Sequence, residues 1–299
     1  MTYKTAFSKI IPGICFGLLI VASCSKDRTQ TKSLNDYKSP NDYLNSKKQA
    51  EQDYTIDSLG KCPLIGKLGT RICPTKGDIQ YPNKLDSIHF PFHVKLVELY
   101  SAKNMIYYQM PSVGGGNILT TAGEVRIRAF KDTTELVLRT SRSWSVSMPG
   151  KNTIADMKQY YGSTTASLTD WITNPVGSFT KNDTSYYAED QKLGWLACNK
   201  DASTSNQVSL SFTSNTDILT NVAIFIYIPS LKSIMQVYNM NSGKIPQGSS
   251  IKIIAIAQGE SSKLYYFYKE MTLGQNNEIV DVTLQSTTDD ELTAKLDAL

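Results

Sequence analysis

From residue 60 onward, apolar and polar positions alternate in short runs. In Glu124–Phe130, Val125, Ile127 and Ala129 share one face while Arg126 and Arg128 share the other. "SWSVSMP" (143–149) repeats the pattern with Trp144, Val146 and Met148. A period of two predicts half-buried strands, and "KDTTE" before "LVLR" supplies a turn. "FHVKLVELY" and "MIYYQM" also read as strands, with "SAKN" between them. Residues 150–206 are less regular: "NTIADMKQYYG" fits a short helix or a strand, and the stretch reads as an irregular insertion completing a first sandwich. Strand patterns then return in "QVSLSFT", "NVAIFIYI", "SIMQVYN", "SIKIIAIA", "KLYYFYKEM" and "EIVDVTL", with a turn at "KIPQG" where Pro246 presets φ. The end changes period. Thr288 and Glu291 form a capping-box pattern, and Leu292, Leu296 and Leu299 sit at helical spacing. The expected fold is mostly β: two antiparallel β-sandwich domains, 60–206 and 207–299, the second ending in a short docked helix.

The amino-terminal stretch follows neither period. Lys4 and Lys9 carry the only charges before an apolar run over residues 10–23, the layout of a secretory signal. As a helix that run reaches about 21 Å, short of a hydrocarbon core of roughly 30 Å, and Pro12 and Gly13 weaken it further. The run ends at Val21-Ala22-Ser23-Cys24, which resembles the lipobox of bacterial lipoproteins. The resemblance implies a signal peptide over 1–23, removed before Cys24, with lipid such as palmitate on the Cys24 sulfur. Ser25 rather than Asp after the cysteine implies outer-membrane sorting, facing either the periplasm or the outside. Residues 25–59 hold six basic and six acidic residues and few aliphatics, so 24–59 reads as the lipidated cysteine and a disordered tether reaching roughly 30 Å. A short helix near Asn45–Gln52 is compatible with that reading.

Removing the signal leaves about 276 residues, enough for two domains. The formal charge of +4 includes Lys4 and Lys9, so the remainder is near neutral and carries no clustered basic surface for nucleic acid. The cysteines beyond the signal and Cys24 are Cys62, Cys73 and Cys198. An exported chain permits disulfides. "KCPLIGKLGTRICP" is compatible with a Cys62–Cys73 bridge across a loop turning at Gly66 or Gly69, and equally with two free thiols; its spacing does not suit zinc.

No constellation carries chemistry. His89 and His93 would share a strand face, but Glu98 falls on the other face and Pro91 marks an edge, so no metal is expected. "SVGGGN" (112–117) lacks the GK[ST] of a phosphate loop and precedes a strand; its glycines suit a tight connection with positive φ. Asp156, Asp170, Glu189 and Asp190 are loop acids that a glycan hydrolase would need in pairs. The 17 tyrosines include four doublets, and in a strand each doublet puts one ring outward, where it can stack on sugars or pack on a protein. Catalytic residues, cofactors and metals are therefore all expected to be absent.

Glu98, Tyr100 and Met105, then Leu119 with Gly123, then Gly194-Trp195 with Cys198, resemble a pattern in Bacteroidota exported lipoproteins, with Ala197 and Asn199 departing from it. The resemblance covers 60–200 and implies β-sandwich modules on an outer-membrane anchor. The expected role is a lipid-anchored cell-envelope protein that binds a macromolecule or another envelope protein without catalysis; the alternative is a glycan-binding or glycan-hydrolysing module.

Overall fold

The computed structural model describes residues 34–84, 86–165 and 168–299. The expected signal segment, Cys24 and the first part of the expected tether lie outside the described residues. Residues Leu34–Leu299 form one compact unit.

The chain is mostly β. One antiparallel sheet runs in the order Gln52–Ile56, Phe92–Leu99, Asn117–Lys131, Gly194–Asp201, Lys158–Thr165, Leu168–Ser178. A second antiparallel sheet, centred on Ser185–Asp190, Trp144–Pro149 and Arg71–Cys73, packs against it. Val125, Ile127 and Ala129 from one sheet meet Trp144, Val146 and Met148 from the other, all buried, as the period of two requires. A further antiparallel sheet, Ser233–Gln236, Ala223–Ile228, Ser250–Gln258, Leu264–Thr272 and Gln285–Thr287, belongs to the second module. Its partner layer contains one parallel pair, Leu210–Thr213 with Glu278–Asp281.

Three buried clusters hold this together. One fills the first sandwich and one the second. The third lies between the modules. It joins Leu99, Trp171 and Ala197 of the first to Phe225, Ile254 and Ile256 of the second. Ile224, Ile226, Ile253 and Ala255 point the other way, into the second module's own core. The sheet is therefore buried on both faces, which is why "NVAIFIYI" and "SIKIIAIA" are nearly continuous apolar runs rather than alternating ones.

Three short helices fill the seam. "MIYYQM" is not a strand: α2 (Ala102–Tyr108) begins at Ser101, whose Oγ accepts from Asn104 N at 3.3 Å, and ends at Gln109 in the left-handed region. Met105, Ile106, Tyr107 and Tyr108 are all buried, so α2 lacks the polar face that announces a surface helix. "NTIADMKQYYG" resolves into a loop and then the Lys158–Thr165 strand. The terminal helix α3 (Asp289–Asp297) has the expected capping box, and Leu292 and Leu296 are buried in the seam.

Residues 34–59 are folded, which corrects the tether expectation for this part of the chain. Asn35 N donates to Thr216 O at 2.9 Å and Lys38 N to Gln258 O at 2.7 Å, fixing the segment to the second module. The Tyr37 hydroxyl donates to Asp217 Oδ1 at 2.6 Å, and Asp217 also accepts from Asn35 Nδ2 and Leu284 N. Helix α1 (Asn41–Ser46), earlier than the expected Asn45–Gln52, sinks Tyr43 and Leu44 into the seam. Gln52–Ile56 then adds as an edge strand to Phe92–Leu99, with Glu51 bound to Arg126 at 2.9 Å and Arg128 at 2.7 Å. The segment straps the modules together using a few fully buried side chains and many specific polar contacts. Its low apolar content concealed that.

Leu44→Ala is expected to cost roughly 2–5 kcal/mol of stability, as for a fully buried leucine. Urea unfolding measures it; an unchanged midpoint would restore the flexible tether.

Candidate functional site

A cleft of about 1070 Å³ opens between the modules. Separate stretches of the chain build it. The first is the turn at Leu68. Glu98, buried, accepts from Leu68 N (2.9 Å), Thr70 N (2.9 Å) and Gln52 Nε2 (2.8 Å), so both its oxygens hold this turn in place. Gly66 is required beside it, because a Cβ would come within 2.7 Å of the Glu98 carboxyl. The second segment runs from Tyr100 to Met105 at the mouth of α2. The third is the floor, Thr120–Gly123. Gly123 has φ +137, and a Cβ there would meet the Tyr100 ring at 2.3 Å. The Tyr100 hydroxyl pairs with Thr70 Oγ1 at 2.7 Å, and burial holds its phenol well above the usual range. The fourth segment is the 149–157 loop, where Tyr186 Oη accepts from Ile154 N at 2.8 Å. The second module closes the cleft with Ser230, Leu231 and Lys232.

The cleft has a floor of small residues and two apolar lips, Leu68 (46 % exposed) and Ile154 (42 %). Its charged lining is Lys151, Asp183 and Lys232. Residues of the sequence pattern converge on it: Tyr100, Met105 and Gly123 line it, Glu98 fixes its Leu68 turn, and Cys198 pairs with Gly123 in register. Lys151, Lys232, Leu68 and Ile154 carried no sequence signal, because they come from separate loops and share no spacing.

The other sequence candidates are dispersed. Cys24 lies outside the described residues. Cys62 and Cys73 are bonded, with Cα atoms 4.5 Å apart. Cys198 is a buried free thiol, pushed up by burial. His93 Nδ1 lies 2.9 Å from Asp53 Oδ1, while His89 precedes the strand, so the two do not share a strand face. No group of three or more metal-ligating side chains occurs among the described residues. The glycine loop makes the expected tight connection, with Gly115 at φ +58 and Gly116 at φ +80. Asp156 pairs with Lys200, Asp170 accepts from Gly115 N and Trp171 N, and Glu189 accepts from Ser143 and Tyr187. The tyrosines serve the core: Tyr107 and Tyr108 are both buried on a helix, and among the described residues only Tyr187 (43 %) is strongly exposed.

Two further acids are fully buried. Glu124 accepts from Ser112 Oγ at 3.1 Å, but its Oε2 has no partner among the described residues, and burial pushes it well above the carboxylate range. Asn199, also buried, has neither side-chain polar atom paired among the described residues. Asp190 caps the turn to Gly194 through Lys192 N at 3.1 Å while its Oδ2 has no partner among the described residues. Burial pushes it up to about 7, although the Lys192 amide and the Tyr161 phenol pull it down.

No protein-family model matches this sequence, and no curated protein matches it either.

The folded chain holds the Asp190 proton to about pH 7, whereas the unfolded chain releases it near pH 4. Stability tied to this carboxyl is therefore complete below about pH 4 and falls as pH rises to about 7. Asp190→Asn keeps the Oδ1 acceptor and removes the titration. Its urea midpoint is expected to exceed the wild type above pH 7 and to converge with it near pH 4; parallel curves would contradict this.

Proposed function

We propose that this chain is a lipid-anchored protein of the bacterial outer membrane, held through Cys24, that binds another macromolecule of the envelope without transforming it. The observation that carries the reading is the cleft between the modules. Its volume is at the upper end for small-molecule pockets and suits a segment of a polymer. Its lining combines exposed apolar side chains, Leu68 and Ile154, with the charged side chains of Lys151, Asp183 and Lys232. Of the acids picked out in the sequence, Asp156 sits on the 149–157 loop paired with Lys200, and Asp170, Glu189 and Asp190 are engaged away from the cleft in turns and side-chain hydrogen bonds. A glycan platform has less support, because the tyrosines that would form it are mostly buried or half-buried.

The anchor supports a role at a membrane surface. The Val21-Ala22-Ser23-Cys24 pattern suits acylation, and two or three acyl chains hold a protein firmly where one does not. Charge near neutrality gives no support to a nucleic-acid partner.

Radiolabelled palmitate is expected to enter the wild-type chain and not Cys24→Ala; equal labelling would remove the anchor. A photoreactive benzoylphenylalanine placed at Leu68 or Ile154 is expected to give a discrete adduct in intact envelopes, and one at the exposed Ile279 none. No cleft adduct, or equal adducts at all three positions, would remove the cleft as the binding site.

A further inference from the structure

Resting on the Cys24 anchor above, we propose that the Leu59 turn and the disulfide-closed hairpin after it dock on an anionic phospholipid bilayer, the one that holds the anchor. The length of the remaining tether is the first support. Residues 34–59 are folded onto both modules, so only residues 25–33 separate Cys24 from the body. A chain of that length reaches about 35 Å at full extension. A compact body the size of Leu34–Leu299 is roughly 45 Å across. The anchored body therefore stays within its own width of the bilayer, and a surface patch with even weak affinity for lipid meets it at high local concentration.

The second support is an acid-free stretch of chain that presents cations and aliphatics together. Residues 58–77 carry Lys61, Lys67, Arg71 and Lys76 and no acid. Among the described residues none of the four is in an ion pair. Lys61, Lys67 and Arg71 are exposed. Beside them Leu59 is 92 % exposed and Ile65 51 %. Local geometry imposes this exposure. Leu59 is at the tip of a turn in which Asp57 Oδ1 accepts from Leu59 N at 3.0 Å and Gly60 N donates to Asp57 O at 3.1 Å. In the hairpin Leu64 pairs with Ile72, both buried, so the next pair, Ile65 with Arg71, faces outward. Tyr54 joins turn and hairpin: its hydroxyl lies 3.0 Å from Ile65 O, and Lys61 Nζ lies 5.4 Å from its ring centroid. The Cys62–Cys73 bond and the Glu98 contacts to Leu68 N and Thr70 N hold the hairpin in one shape, so docking has little left to order. Unpaired cations beside exposed aliphatics match both layers of an anionic interface, phosphates outside and acyl chains beneath. An acidic protein would also satisfy the cations, but the tether brings lipid to this body at high local concentration.

The test is tryptophan quenching by brominated phosphatidylcholine, which reaches only side chains inserted in the bilayer. The full lipidated chain is placed on vesicles of that lipid with and without phosphatidylglycerol. Trp144 and Trp171 are buried and give a constant background. Leu59→Trp is expected to be quenched several-fold more than Ile279→Trp, an exposed position of the second module, and only where phosphatidylglycerol is present. Added salt should relieve the quenching, and so should Lys61→Gln/Lys67→Gln/Arg71→Gln, with its urea midpoint confirming the fold. Equal quenching at 59 and 279, quenching independent of phosphatidylglycerol, or quenching indifferent to salt would overturn the inference. Flotation of the wild-type chain with the vesicles is read in parallel. A chain that floats without quenching at 59 overturns this inference alone; a chain that does not float removes the anchor beneath it as well.

Discussion

The second module's sheet is buried on both faces, and the rest of the architecture follows from that. One face closes its own sandwich; the other, through Phe225, Ile254 and Ile256, needs a cover that the module itself does not provide. The first module's Leu99, Trp171 and Ala197 and the three helices supply it. At about 25 cal/mol per Å² of apolar surface removed from water, such a seam is a large term, and exposing it would leave an apolar patch beyond what a soluble surface tolerates. The chain is therefore several sheets by topology and one body by packing.

Polar groups set the register of that body. Asp217 collects the Tyr37 hydroxyl, the Asn35 amide and the Leu284 N–H, tying the start of the described chain to the second module, and these bonds hold its carboxyl below the usual range. Glu51 does the same for the first module through two arginines. Between these clamps Tyr43 and Leu44 enter the seam. Glu124 and Asn199 lie within the first module's main sheet with incomplete hydrogen bonding, in the strands next to the bulge where the register shifts between Cys198 and Asn199. A buried polar group left unpaired is costly, so these two residues mark a place where the fold accepts a penalty.

The cleft follows from where pairing stops. Phe92–Leu99 leaves the sheet at Leu99 and turns into α2, while its neighbour continues past Gly123 to meet the second module. The gap between a strand that ends and a strand that continues is the floor of the cleft. Tyr100 packs on Gly123 at one side of it, and Glu98 holds the Leu68 lip.

Much of the fold was legible in the order of residues. Alternation identified the strands of the first sandwich, because one face meets a core and the other does not. The capping box and the leucines at helical spacing identified α3, because both signals are local. The glycine loop was readable for the same reason, since positive φ is a property of one residue. Tertiary structure decided the rest. Helix α2 resembled a strand because it is buried on several sides and shows no periodic polar face. Residues 34–59 resembled a tether because composition averages away the few side chains that anchor them. The lips and charges of the cleft left no mark in the sequence, since Leu68, Lys151, Ile154 and Lys232 come from separate loops that meet only in the folded chain. Local periodicity encodes which face of an element is buried; what buries it, and what gap remains beside it, depends on contacts between residues far apart in the chain.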